Sequence, residues 1–220
     1  MIELHISRQT LTLPRTLASK VQLVASHRPH LGDQTAEDID NHLGPQSHTQ
    51  TTIHESTLDR MVVKYSEQLV FQPRREIQHW FAYGSGAYLD PGYPPLFYFP
   101  NTESKLQPNK SVVAGIGEAI AGFLAQKYFR CQKLARPNNE FPDIVMESGN
   151  ETFLVEAKAT IKQTSTVSKL ITANRMEFIA RTAISGGCDD SRPLRGLLVA
   201  TKIESDNLYC CECLEVKFVP

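Results

Sequence analysis

Apolar positions recur with a clear period only in the second half of the chain. Over residues 111–129, Val112, Ile116, Ile120, Phe123, Leu124 and Phe129 fall near a 3.6-residue spacing, which predicts a helix with Ser111 as its N-cap. A short strand follows over 131–135, then a turn at Arg136-Pro137-Asn138-Asn139 and a strand over 143–147. The tight turn Ser148-Gly149-Asn150-Glu151 leads into a further strand over 152–159. Residues 166–185 read as a second helix closed by Gly186-Gly187. Strands over 196–201 and 208–218 complete the chain. The order is helix, three strands, helix, two strands, which predicts an α/β domain over residues 105–220 with a central mixed sheet flanked by helices.

The first half lacks such a period. Residues 1–60 are rich in Thr, Gln, His and Asp, and residues 27–54 hold five of the seven histidines. His27 and His30 have a spacing that suits a metal. The segment around them is polar and broken by Pro29, Gly32, Gly44 and Pro45, so a solvated loop is expected. Residues 58–80 predict one helix and a short strand. Residues 83–108 are dominated by Gly, Pro and aromatics and predict irregular connection. Trp80, Phe81, Tyr83, Tyr88, Tyr93, Phe97 and Tyr98 are of a type that stacks on bases, but packing on the core is the stronger expectation. Residues 1–104 are therefore read as a partly irregular N-terminal region of unknown role.

Composition narrows the picture only a little. Lys and Arg total 23 against 24 Asp and Glu, a net charge of −1, which neither demands nor excludes a nucleic-acid partner. Basic residues do gather near the candidate site (Lys158, Lys162, Lys169, Arg175, Arg181). The first residues, Met1-Ile2-Glu3-Leu4-His5, lack the pattern of a signal peptide, so a cytoplasmic location is expected. Cys131, Cys188, Cys210, Cys211 and Cys213 are an odd number, which points to reduced thiols. Cys211 and Cys213 would share one strand face and Cys210 the other. Small buried residues are the preferred reading; a metal–thiolate site using Cys188 is the alternative.

The turn at Gly149-Asn150 carries the chemistry. With those two residues as the loop, Ser148 faces Glu151, Met146 faces Phe153, Val145 faces Leu154 and Ile144 faces Val155. Asp143 then stands opposite Glu156. Like charges directly opposed on a sheet destabilise it, and the hairpin is otherwise apolar. A shared proton or a bound cation would resolve the conflict. Lys158, two residues beyond Glu156, projects from the same face and stands ready to orient or deprotonate a water. The competing reading is a plain salt-bridge network on a solvated face, and the unbroken apolar neighbours argue against it.

Pro142-Asp143, twelve residues, then Glu156-Ala157-Lys158 resembles the PD-(D/E)XK motif of the restriction-endonuclease-like nuclease superfamily. The resemblance covers residues 111–220, including the element order. It implies phosphodiester hydrolysis with Mg²⁺, or Mn²⁺ in its place, held by Asp143 and Glu156, with Lys158 assisting the attacking water. Glu118, on the helix before the hairpin, is at a suitable position for a further metal ligand. The resemblance also implies nucleic acid as partner, DNA before RNA because most of the superfamily acts on DNA. Cleavage of both strands would favour a homodimer.

Three departures matter. The helix over 166–185 lacks the Gln-x-x-x-Tyr signature of RecB-like nucleases. Gly115 and Gly117 suggest a dinucleotide turn, but Ile120 stands where the third glycine belongs. Gly115, Gly117 and Gly122 are better explained by close helix packing. A non-catalytic module that binds nucleic acid or protein on a nuclease-like fold is the alternative in another class, and the intact Asp143/Glu156/Lys158 set speaks against it.

Overall fold

The computed structural model describes residues 1–26, 29–67, 72–84, 88–90, 96–98, 109–137, 140–162, 164–186 and 193–219. The elements are β1 (Ile2–Pro14), α1 (Arg15–Ser26), α2 (Gly32–Asn41), β2 (Ser47–Ile53), α3 (Glu55–Tyr65), α4 (Pro73–Gly84), β3 (Tyr88–Asp90) and β4 (Leu96–Tyr98). They continue with α5 (Lys110–Phe129), β5 (Gln132–Ala135), β6 (Ile144–Ser148), β7 (Glu151–Thr160), α6 (Val167–Gly186), β8 (Leu194–Ile203) and β9 (Leu208–Val219). Seven strands form one mixed sheet in the order β2-β1-β9-β8-β7-β6-β5, and β3 pairs with β4 separately. The β1–β9 and β7–β8 pairs are parallel; the other pairs are antiparallel. The fold class is α/β, and the order from α5 to β9 is the expected helix, three strands, helix, two strands.

The strand order differs from expectation at the N-terminus. That region, read as partly irregular, supplies β1 and β2, and β1 lies between β2 and β9 inside the sheet. The reason lies in β1's burial. Ile2, Leu4 and Ile6 enter the core on one face of the sheet, whereas Leu11 and Leu13 enter the core on the other. The strand changes its buried face midway, so no single alternation runs its length. The predicted loop over the histidine-rich segment is replaced by α2, which buries Thr35 and Ile39, and by β2, which has an exposed polar pattern and is held by backbone pairing to β1. No strand is present among the described residues of 58–80, and residues 68–71 lie outside them. The residues there form α3 and α4 instead, with Pro73 first in α4, where its missing N–H costs nothing.

Helices cover both faces. One core packs α3 and α5 on Ile144, Met146, Phe153 and Val155; the other packs α1, α2 and α6 on Leu198, Ala200, Leu214 and Val216. Helix α5 is apolar around most of its circumference because it lies between the sheet and α3. Its N-cap is Asn109, whose side chain accepts the Ser111 N–H at 3.0 Å; Ser111, the expected cap, sits inside the first turn. Close packing explains two of its glycines. A Cβ on Gly117 would lie 2.6 Å from the Ala159 Cβ, and one on Gly122 would lie 2.4 Å from the Tyr65 ring. No helix among the described residues is long and apolar enough to cross a membrane.

Candidate active site

The β6–β7 hairpin has the register the sequence predicts, from Ser148↔Glu151 to Ile144↔Val155. Gly149 has φ +59°, while Asn150 is not among the residues of positive φ, as a type II′ turn requires. Continuing the pairing outward brings Asp143, the residue before β6, beside Glu156 and Ala157. Asp143 Oδ2 accepts the Ala157 N–H at 2.7 Å. This bond fixes the Asp143 carboxylate against the strand that carries the other two candidates.

Phe153 and Val155 point into the core under α5, so Glu156 and Lys158 point to the α6 side. Lys158 Nζ donates to Glu156 Oε1 at 2.6 Å. Glu156 Oε2 is buried and has no hydrogen-bond partner. Burial raises the Glu156 carboxyl above the ordinary range, and the Asp143 charge raises it further, against the pull of Lys158 and of the Asp143 backbone N–H. Burial also raises Asp143, opposed by the Ala157 N–H and by the charges of Lys158 and Arg136. The hairpin therefore holds two carboxylates whose charged forms are disfavoured by their surroundings.

Glu118 is turned elsewhere. Its Oε2 accepts the Glu67 N–H at 3.0 Å and stands 3.2 Å from Arg136 Nη2. Burial raises its carboxyl, Arg136 lowers it, and the Asp143 charge is near enough to raise it again. Arg136 also donates from Nε to Glu67 at 3.0 Å and from Nη1 to the Tyr65 carbonyl. In the sequence Arg136 falls within the predicted turn, and Glu67 stands out in no motif. The signal that leads to Arg136 is Glu118 itself, since a carboxylate on an otherwise apolar helix needs a cation. Among the described residues, no three His, Cys, Asp or Glu side chains stand together as a metal-binding group.

The expected basic surface is largely paired within the protein: Arg175 binds Asp40 of α2, and Arg181 binds Glu177 at 2.6 Å. The Thr160 hydroxyl accepts the Lys162 N–H at 3.2 Å. Cys211 and Cys213 lie in the core, where burial pushes the Cys213 thiol up to about 12 and raises that of Cys211; Cys210 is half-buried on the opposite face. Cys188 and His27 lie outside the described residues. Trp80 and Phe81 pack edge to face at 4.9 Å against the core. The side chains of Tyr83, Tyr88, Tyr93, Phe97 and Tyr98 lie outside the described residues.

Glu156→Gln checks the electrostatics directly. A raised folded-state pKa means that the wild type loses stability as pH rises through it. With metal chelated at neutral pH, the variant should be more stable in urea by about 1 kcal/mol, the scale of an unsatisfied buried polar group. The difference should vanish in acid, where Glu156 takes up a proton. A variant less stable than wild type at neutral pH would contradict the assigned strain.

Comparison of the chain with protein-family models, curated proteins and solved structures returns no significant match.

Proposed function

We propose that the protein is a divalent-metal-dependent nuclease that hydrolyses phosphodiester bonds in DNA. The observation that carries this reading is the partnerless, buried Glu156 Oε2 beside Asp143 and Lys158. Carboxylates crowded in an apolar hairpin are costly unless a proton or a cation sits with them. The donor set fits Mg²⁺ or Mn²⁺: Mg²⁺ takes hard oxygen ligands and is commonly held by one or two carboxylates together with waters and substrate phosphate. Asp143 and Glu156 would hold the ion. When bound, it supplies Lewis-acid polarisation of the phosphate and a more acidic water.

The chain's own residues do the rest. The Ala157 N–H orients Asp143, and Glu156 holds Lys158 at the mouth of the site. Lys158, half-exposed, is placed to take the proton of an attacking water or to offset negative charge on the phosphate. Glu118 serves as a further ligand only by leaving Arg136. The resemblance to PD-(D/E)XK nucleases supports the same reading through the motif and the order from α5 to β9.

The test is nicking of supercoiled plasmid with Mg²⁺ or Mn²⁺, by wild type and by Asp143→Ala. Metal-dependent nicking lost in the variant is expected. Absent nicking of plasmid, single-stranded DNA and RNA, together with absent Mn²⁺ binding, would favour the non-catalytic binding module instead.

A further inference from the structure

A pocket of about 180 Å³ opens beside Glu156 and Lys158, between the segment preceding β6 and helix α6. We propose that it is a subsite for a nucleobase bearing an exocyclic amino group, adjacent to the phosphate that the candidate site would attack. The inference rests on the nuclease reading and adds a substrate preference to it.

Size and shape come first. Pockets for larger organic ligands run to roughly 300–1,000 Å³, so this one suits a single flat ring system. Phe141, half-buried, forms one wall. Its ring stands edge-on to Phe178 with centroids 5.9 Å apart and planes at 71°, and the Arg181 guanidinium lies 5.8 Å from the Phe141 centroid. Phe178 is locked from behind: a Cβ on Gly196 would approach its ring to 2.8 Å. That leaves Phe141 and the Arg181 plane as the surfaces against which a ligand lies. Aromatic rings and guanidinium planes are what bases stack on.

Charge decides which part of a nucleotide enters. The pocket is lined by three carboxylates, Glu140, Glu156 and Glu177, and by two cations, Lys158 and Arg181. Arg181 is already matched by Glu177 at 2.6 Å and Glu140 at 3.6 Å, and Lys158 by Glu156. A phosphate would add negative charge where no cation is in surplus. A neutral base adds none.

Hydrogen-bonding capacity then selects among bases. Asn174 commits its Nδ2 to the Leu170 carbonyl at 2.7 Å, leaving Oδ1 as an acceptor. Glu177 lies three residues on, on the same face of α6, and its carboxylate accepts only. A wall of acceptors favours a ring edge that presents an amino group. Cytosine, adenine and guanine have one; thymine and uracil do not.

The test is fluorescence anisotropy with labelled oligo-deoxycytidine and oligo-deoxythymidine of about twelve nucleotides, and with an abasic strand of equal length, all with metal chelated so that nothing is cleaved. Oligo-deoxycytidine is expected to bind about tenfold tighter than oligo-deoxythymidine, and the abasic strand weakest. Phe141→Ala and Asn174→Leu should each remove most of that difference. Asn174 is only half-buried on α6, so its variant keeps the readout valid if Phe141→Ala unfolds. Equal binding of all three strands would overturn the base subsite and leave the nuclease reading standing. Failure to bind any of them would overturn the base subsite, while the nuclease reading is decided by the nicking and Mn²⁺-binding test.

Discussion

Lys158→Ala is expected to cut metal-dependent plasmid nicking at least about a hundredfold, the lower end of what a positioned proton-transfer group contributes. Among the described residues, Lys158 is the one cation within hydrogen-bond reach of Glu156, at 2.6 Å, and it lines the pocket proposed for the base next to the scissile phosphate. Mn²⁺ binding should survive the change, because the proposed ligands are Asp143 and Glu156. Asp143→Ala should lose binding and nicking together. Lys158→Arg separates two roles for the lysine. A guanidinium keeps the charge but does not deprotonate near neutral pH. Nicking restored by arginine would make Lys158 an electrostatic group; nicking still lost would make it the proton acceptor. Nicking by Lys158→Ala at the wild-type rate would move the active centre away from this hairpin.

What the sequence discloses depends on how local the determining physics is. The hairpin was legible because a glycine of positive φ fixes a two-residue loop, and the loop fixes the register. The placement of Glu156 and Lys158 on one face then follows from the two-residue strand period. The α5–β9 order was legible from the apolar spacing over 111–129 together with the turn signals at 136–139, Gly149-Asn150 and Gly186-Gly187. β1 was not, because its inward residues pass from Ile2, Leu4 and Ile6 on one face to Leu11 and Leu13 on the other across the polar Ser7-Arg8-Gln9-Thr10. β2 was hidden more deeply: its exposed Ser, His, Thr and Gln residues have no inward pattern, and its pairing with β1 resides in the backbone. The environment of Glu118 was also out of reach. Its partners come from the end of α3 and from beyond β5, and only the folded chain brings them to α5.

Arg136→Met is expected to destabilise the fold by about 3–5 kcal/mol in urea denaturation at neutral pH, a large part of the roughly 5–15 kcal/mol that holds a typical domain together. The Arg136 side chain is 12% exposed, and the Glu118 side chain opposite it is 9% exposed. Removing the cation leaves Glu118 in the core with, among the described residues, only the Glu67 N–H as a partner, and it releases the Tyr65 carbonyl and the Glu67 carboxylate from the same side chain. The 3.2 Å approach to Glu118 is an ion pair without a well-aligned hydrogen bond, so most of the loss should be the cost of the stranded carboxylate, not of the pair itself. A double-variant cycle isolates that cost. Glu118→Leu in the Arg136→Met background should recover a large share of the stability, since an apolar pair can replace a buried ion pair at little penalty. If the double variant is as unstable as Arg136→Met alone, the arginine acts mainly through the Tyr65–Glu67 segment. If the recovered double variant binds Mn²⁺ as tightly as wild type, Glu118 is a structural carboxylate, and Asp143 and Glu156 alone supply the protein ligands.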